Sequence, residues 1–222
     1  MKKVIDKLWG ILKGFVQQKN LKLRLPIVIV AVIVMGFCLS WLVMVDWGTD
    51  PCTAMNLAIS AKLGMTLGNW QALLNVILFI IVIIFGNNDI GFGTLANMFL
   101  VGYSCDFFSW VWSKVLPEGF IDPLPVKITV FVIALVLFII AAAFYMDMKL
   151  GTAPYDAISF IIHDRLLPKV PFKFIRMAYD FLVCGIALLF DGKVGIVTIA
   201  VALFLGFVIE FLGKQISKLI EF

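Results

Sequence analysis

The chain has 222 residues, of which 63% are hydrophobic and 14% charged, with a net charge of +4 and a mean hydropathy of +1.08. Soluble domains are about 45–50% apolar, so this composition excludes a soluble globular protein and predicts an integral membrane protein. The sequence has no nucleotide-binding loop, catalytic triad or zinc motif, and its four cysteines and one histidine lack metal-ligand spacing. We therefore expect no enzymatic activity, no cofactor and no metal ion.

The N-terminal segment is basic and amphipathic. Seven lysines and arginines fall within the first 24 residues, and apolar residues recur there at helical spacing. This pattern predicts a helix over residues 1–25 that lies on the anionic inner leaflet of the bilayer. The positive-inside rule then places the N-terminus in the cytoplasm.

Long apolar runs dominate the rest of the chain. A helix needs about 20 apolar residues to cross roughly 30 Å of hydrocarbon. Runs of about that length occur at residues 26–45, 69–85, 93–112, 128–146, 172–190 and 194–212. The sequence therefore predicts six membrane-spanning helices, which would leave both termini in the cytoplasm.

A short motif occurs twice and indicates an internal duplication. Gly48-Thr49-Asp50-Pro51 recurs as Gly151-Thr152-Ala153-Pro154, and each copy opens a short helix-like segment. Further along, Gln71 and Asn75 correspond to Arg176 and Asp180, and Gly102-x3-Asp106 corresponds to Gly206-x3-Glu210. We predict two homologous repeats, residues 26–116 and 126–215, within one membrane domain. The helix-opening residues shared by the repeats are Gly48, Thr49, Pro51, Gly151, Thr152 and Pro154.

The topology depends on the two short helices predicted at residues 51–63 and 154–166. Thirteen residues extend only about 20 Å, too short to cross the bilayer. If these are half-helices or interfacial helices, each repeat has three crossings and the repeats are inverted. If they do cross, the chain has eight crossings, which the distribution of lysine and arginine slightly favours. We predict the first arrangement: an all-α polytopic membrane protein with two inverted repeats of three transmembrane helices plus one short helix each.

Polar residues in the spans are candidates for a substrate or coupling site, because ionisable groups there are costly. With six crossings, one set faces outward: Asp50, Asn56, Gln71, Asn75 and Asp106. The other set faces inward: Asp156, His163, Arg176, Asp180 and Glu210. Two related sets at opposite ends of inverted repeats are typical of the gates of alternating-access transporters. Alternatives remain open: carboxylates that reach the interface, and a structural ion pair between Arg176 and Asp180. The N-terminus of the helix opened by Pro154 is also a candidate anion site.

The segment GFGTLANMFLVGYSCDFF, residues 91–108, resembles a motif of the bacterial YczE/YyaS/YitT-type integral membrane proteins, G-x-GT-x-x-N-x4-G-x3-D. Residues of this chain that match it are Gly91, Gly93, Thr94, Asn97, Gly102 and Asp106. Asp50-Pro51-Cys52 departs from the family's frequent Gly-Pro-Trp. The resemblance implies a bacterial inner-membrane protein of poorly defined activity, and it adds Asn97 to the candidate site residues.

These features together favour a small secondary transporter that moves a small solute by alternating access. The repeated acids suggest coupling to protons through Asp106, Asp180 and Glu210. The alternative is a non-transporting membrane scaffold or partner subunit, which a filled centre without a cavity would favour. A membrane enzyme acting on a lipid is less well supported. The expected partners are the lipid bilayer, an unidentified small molecule or ion, and a second copy of the chain in a homodimer, with no nucleic acid.

Overall fold

The computed structural model describes residues 20–85 and 90–204, which are helical and contain no strand. The helices are α1 Leu21–Val45, α2 Pro51–Leu63, α3 Leu67–Phe85, α4 Phe92–Val115, α5 Leu124–Asp147, α6 Pro154–Arg165, α7 Phe172–Leu189, and α8, which is helical from 196 to the last described residue, 204. The predicted amphipathic helix, except its last residues, and the candidate Glu210 lie outside the described residues.

Three of these helices are long and apolar enough to cross a membrane: α1, α3 and α5. Helices α4 and α7 coincide with two other predicted spans but carry charged residues, Asp106 in α4 and Arg176 and Asp180 in α7. Helix α4 has 24 residues and is therefore about 36 Å long. The chain is thus an all-helical membrane protein.

The two short helices begin at the prolines of the repeated motif. Proline suits the first helical position, because its fixed φ matches the helix and its missing N–H would have no partner there. Asp50 caps α2, since its Oδ1 accepts a 3.0 Å hydrogen bond from the backbone N–H of Thr53. Helix α6 has no side-chain cap, but Asp156 lies in its first turn.

The glycines that open the two motifs have the same backbone conformation and matching surroundings. Gly48 has φ 106° and Gly151 has φ 109°, values that L side chains rarely adopt. A Cβ on Gly48 would lie 2.7 Å from Oγ1 of Thr198, and one on Gly151 would lie 2.4 Å from Oγ1 of Thr94. Each motif therefore docks closely on the first turns of a distant helix, Gly48 on α8 and Gly151 on α4.

Glycines also bring the long helices close together. A Cβ on Gly36 of α1 would lie 2.5 Å from Cβ of Ser104 in α4, and one on Gly102 of α4 would lie 2.8 Å from Cα of Gly68 in α3. Small residues allow this approach, which strengthens the packing between helices in a bilayer. Helix α4 is consequently held between α1 and α3.

Contacts along α1, α3 and α4 give the directions of these helices. Gly36 packs beside Ser104, and further along both helices Nε1 of Trp112 donates a 2.9 Å hydrogen bond to Oγ of Ser40. The second contact lies nearer the C-terminal end of both helices than the first, so α1 and α4 are parallel. Helix α3 is antiparallel to α4, because its first residues lie beside the second half of α4.

Helix α5 is antiparallel to α1 and α4. The ring of Phe131, near the start of α5, lies 5.4 Å from that of Trp47, just beyond the end of α1. At the other end, the N–H of Gly93 at the start of α4 donates a 2.8 Å hydrogen bond to the carbonyl of Leu150, just after α5. We call the end where α1, α4 and α7 finish the upper end and the end where α5 finishes the lower end.

Ion pairs at the upper end join the loop after α7 to the first half of the chain. Lys193 pairs with Asp46, beyond the end of α1, and Lys62 of α2 pairs with Asp191. The pKa of the exposed Asp191 carboxyl is lowered by the hydrogen bond from Lys62 and by the charge of that lysine. These contacts place the C-terminal end of α7 at the upper end.

The short helices exchange partners between the two halves of the chain. Helix α2, from the first half, packs on α7, and helix α6, from the second half, packs on α3. At the end of this second contact the guanidinium of Arg165 lies over the ring of Phe85, 5.8 Å from its centroid. The exchange leaves the N-terminal residues of α2 and α6 facing the interior between the halves.

Candidate functional site

A cavity of about 520 Å³ lies between the two halves of the chain. Sites for small molecules occupy roughly 300–1,000 Å³, so its size suits a small solute. Seven of the candidate site residues line it: Asp50, Gln71, Asn75, Asn97, Asp156, Arg176 and Asp180.

The most charged part of the cavity is a network around Arg176. Its Nη1 donates a 2.6 Å hydrogen bond to Oδ1 of Asp156, and its Nε donates one of 3.2 Å to Oδ2 of Asp180. The hydroxyl of Tyr155 donates a 2.7 Å hydrogen bond to Oδ1 of Asp180, and its ring lies 5.2 Å from the guanidinium carbon. One arginine therefore neutralises two carboxylates. Arg176 and Asp180 form the predicted ion pair, and both residues line the cavity.

Two further polar groups in the lining lack partners among the described residues. Oδ1 of Asp50 caps α2, but its Oδ2 is buried without a hydrogen bond. Tyr145 is only 3% exposed, and its hydroxyl is also without a partner. Buried polar groups are normally satisfied, so each of these atoms requires an explanation.

The amide side chains of the first half line the cavity opposite this network. Gln71, Asn75 and Asn97 are all buried, and Nδ2 of Asn75 donates a 3.3 Å hydrogen bond to the carbonyl of Met98. The first half thus contributes uncharged amides where the second half contributes Arg176 and its carboxylates.

Apolar side chains form most of the remaining wall, among them Met35, Leu39, Val101 and Phe138. The exposed members of the lining, Met146, Lys149 and Lys173, lie where α5 ends and α7 begins. The cavity therefore opens at the lower end. At the upper end the ring of Trp47 contacts that of Phe131, and Lys193 pairs with Asp46.

The expectation of two separate polar sets at opposite ends of the bundle is wrong. Asp50, Gln71 and Asn75, assigned to the outer set, line the same cavity as Asp156 and the Arg176 network of the inner set. The physical reason is the exchange of the short helices, because α2 packs on α7 and α6 on α3, which turns both motifs inward.

Asp106 is placed outside the cavity lining. Its Oδ2 accepts a 2.7 Å hydrogen bond from the N–H of Gly68 in the first turn of α3, so its charge caps a neighbouring helix. His163, also assigned to the inner set, contacts the carboxylate of Asp164 at the surface instead. Glu210 lies outside the described residues.

The N-terminus of α6 offers little room for the predicted anion. Asp156 in its first turn carries the negative charge that favours a helix N-terminus. Arg176 binds that same carboxylate. The first turn of α6 therefore already carries a carboxylate, which is paired with Arg176.

Sequence reasoning missed the two tyrosines of the site. Tyr145 ends an apolar run and Tyr155 follows Pro154, and neither position differs from that of an ordinary interfacial tyrosine. Only their burial, at 3% and 5% exposure, distinguishes them. Within residues 20–85 and 90–204, no three His, Cys, Asp or Glu side chains are grouped to hold a metal ion.

Comparison with protein families gives one match that spans most of the chain. Residues 22–214 match the model of a family of unknown function, DUF6198. The chain belongs to this family. The matched segment contains every residue of the cavity lining, so the site is part of the DUF6198 domain.

Two proteins of Bacillus subtilis (strain 168) are similar to this DUF6198 member. The uncharacterized protein YyaS is 28% identical over 170 residues, covering 77% of this chain and 82% of YyaS. The uncharacterized membrane protein YczE is 24% identical over 175 residues, covering 79% of this chain and 78% of YczE. The resemblance to YczE/YyaS-type proteins is therefore confirmed. No solved structure gives a significant match.

Proposed function

We propose that this protein is a small secondary transporter of the bacterial cytoplasmic membrane, which binds a small solute in the central cavity and moves it by alternating access. The cavity is the observation that supports this proposal most directly, because it lies between the halves of the chain and both halves contribute polar residues to its lining. Polar and ionisable groups in such a position mark substrate pathways in membrane proteins.

We further infer that the two halves are inverted repeats. Helix α5, the counterpart of α1 in the duplicated sequence, runs antiparallel to it. The paired contacts of Gly48 with Thr198 and of Gly151 with Thr94 support the same relationship. So does the reciprocal packing of α2 on α7 and of α6 on α3. Inverted repeats with a site at their interface are a common design of secondary transporters.

The helix directions also support six crossings. If α2 crossed the bilayer, α4 would run antiparallel to α1, whereas the contacts at Ser40 and Trp112 make these helices parallel. With the N-terminus in the cytoplasm, the lower end is cytoplasmic. The open cavity then corresponds to an inward-facing state, and the contacts of Trp47 and Asp46 at the upper end form its closed outer gate.

The cavity weighs against the two other functions. A scaffold or partner subunit would not need an open space of about 520 Å³ with charged groups in its wall. An enzyme acting on a lipid would need a paired nucleophile and base, and the carboxylates beside Arg176 are instead held in ion pairs. We therefore propose transport without catalysis.

Alternating access can be tested by chemical labelling at Ala142, a small residue of the cavity wall. We would introduce Ala142→Cys into full-length protein whose four native cysteines are replaced by alanine, and reconstitute it in oriented vesicles. A membrane-impermeant maleimide should reach this cysteine from the cytoplasmic side and, after exchange between states, from the outer side. An exposed matched control, Leu166→Cys, should react from one side only. Labelling of position 142 from a single side, or from neither, would overturn the proposal.

Flux provides the second test. Proteoliposomes preloaded with a mixture of bacterial solutes would be analysed by mass spectrometry for solutes exchanged by wild-type protein. Exchange should be lost in Arg176→Gln and kept in Asp191→Asn, since Asp191 is exposed at the upper end. A transporter should exchange at least one solute class; equal composition in protein-containing and empty vesicles would contradict transport.

A further inference from the structure

We propose that the cavity selects a small organic cation, bound by its charged group at Asp50 and Tyr145, with its apolar part against the hydrophobic wall. This inference rests on the proposed transport function and specifies the class of substrate.

The charge of the inner cavity is unbalanced. Asp50, Asp156 and Asp180 supply three carboxylates, and Arg176 is the one guanidinium among the residues that line it. The other charged residues of the lining, Asp147, Lys149 and Lys173, lie at the mouth, where α5 ends and α7 begins. Arg176 is already bound to two of the carboxylates, so an anionic solute would find no free cation in the described interior.

Within residues 20–85 and 90–204, Asp50 is the carboxylate of the inner cavity that has no cation partner. One of its oxygens caps α2 and is stabilised by the N-terminal dipole of that helix. The other oxygen has no partner among the described residues. A bound cation would satisfy the second oxygen with a charge-assisted hydrogen bond, which is about twice as strong as a neutral one.

Tyr145 independently indicates a ligand. Its side chain is more than nine-tenths buried and lines the cavity, and its hydroxyl has no partner within the described chain. Tyr145 lies on α5, whereas Asp50 precedes α2, so the two unsatisfied atoms come from different halves of the protein. An ammonium group has several donors and can bind a carboxylate and a tyrosine oxygen together.

The rest of the lining suits the apolar part of an organic amine. Met35, Leu39 and Val101 provide aliphatic surface, and Phe138, Phe160 and Phe172 provide aromatic rings. Aromatic faces attract cations, which favours an organic ammonium ion over a solute of the same shape without charge. Small-molecule sites typically combine such walls with a few polar groups.

The test uses full-length protein purified in detergent and two shape-matched sets of probes. One set is butylammonium, 1-butanol and butyrate; the other is phenethylammonium, 2-phenylethanol and phenylacetate. Binding is measured by isothermal titration calorimetry. At least one of the two cations should bind about tenfold or more tightly than its neutral and anionic analogues, and Asp50→Asn should lower that affinity by about tenfold or more.

Two further variants keep this test independent of folding. Tyr145→Phe removes only the hydroxyl and should weaken cation binding, whereas Asp191→Asn, at an exposed site, should leave it unchanged. Thermal unfolding of each variant verifies that it is folded. The proposal is overturned if neither cation binds, if the analogues bind equally well, or if folded Asp50→Asn binds the cations as well as wild type does.

The outcomes separate this inference from the proposed function. Selective cation binding without flux of the bound cation in proteoliposomes would contradict the proposed transport function and support the cation site. Flux of a neutral or anionic solute without cation binding would retain transport and overturn the cation proposal.

Discussion

Nη1 of Arg176 donates a 2.6 Å hydrogen bond to Oδ1 of Asp156, which ties the first turn of α6 to α7 inside the cavity. A second bond from Arg176 holds Asp180 one turn further along α7. The short helix that opens the second repeated motif is therefore fixed to the cavity wall by charge. A change in the charge or position of Arg176 should alter both the stability of the fold and the shape of the site.

Removing this guanidinium should destabilise the protein. Arg176→Gln leaves two largely buried carboxylates without a cation, and breaking such a pair costs about 3 kcal/mol. The midpoint of unfolding in detergent micelles, followed by circular dichroism, should fall accordingly. Adding Asp156→Asn and Asp180→Asn should restore part of the loss. Lys193→Gln, which breaks an exposed pair, should cost under about 1 kcal/mol; equal losses in both variants would contradict this account.

The two glycines that open the repeated motifs, Gly48 and Gly151, should not tolerate a side chain. Gly151→Ala would force an unfavourable backbone conformation and bring Cβ within 2.4 Å of the N atom of Gly91. We expect a loss of at least about 2 kcal/mol, because both backbone strain and overpacking contribute. Gly185→Ala is the matched control, since it lies within α7 with no atom within 4 Å of the added Cβ.

That control should be neutral or stabilising by about 0.5–1 kcal/mol, the usual gain from replacing glycine in a helix. Thermal unfolding of the two variants under the same conditions measures the difference. If Gly151→Ala were as stable as Gly185→Ala, the close docking of Gly151 on α4 would be refuted.

Substitution of Asp106 should affect the stability of α3 and not the transport site. Asp106→Ala removes the acceptor of the Gly68 N–H and should cost about 1–2 kcal/mol, as the loss of a helix cap does. Asp106→Asn keeps an acceptor and should cost less. Solute flux per folded molecule should be unchanged in both, since Asp106 is outside the cavity lining. A large flux defect in folded Asp106→Asn would indicate a direct role in coupling.

Proton coupling remains a prediction that rests on Asp180 and Glu210. In proteoliposomes with an imposed pH gradient, Asp180→Asn and Glu210→Gln should abolish uptake driven by the gradient while leaving exchange at equal pH measurable. The reason is that a neutral amide binds no exchangeable proton in the physiological range. Unchanged gradient-driven uptake of an identified solute in both variants would remove the coupling hypothesis.

The topology can be tested with cysteines at positions 65 and 168, in the loops after the two short helices. In a background without native cysteines, Met65→Cys should react with an impermeant reagent from outside the cell and Pro168→Cys from the cytoplasm. Opposite sides are expected because α3 starts at the upper end and α7 ends there. Reaction of both positions from the same side would favour eight crossings over six.

The local structure of this protein is determined by its sequence. Apolar runs of sufficient length specify the long helices, and proline after the repeated Gly-Thr pair specifies where α2 and α6 begin, because both effects depend only on neighbouring residues. Polar residues within apolar segments are exceptional because they are costly there, so seven residues of the cavity lining could be named in advance.

Only the tertiary structure decided how those residues are combined. Asp50 and Asp156 are 106 positions apart, and the sequence placed them at opposite ends, whereas the exchange of α2 and α6 brings both into one cavity. Asp106 is as polar as the other residues of the predicted outer set. Its position beside the first turn of α3 nevertheless makes it a helix cap. Tyr145 became a site residue only through its burial. Such packing between distant segments depends on close contacts at Gly48 and Gly151, and no local periodicity encodes which distant helix a glycine will meet.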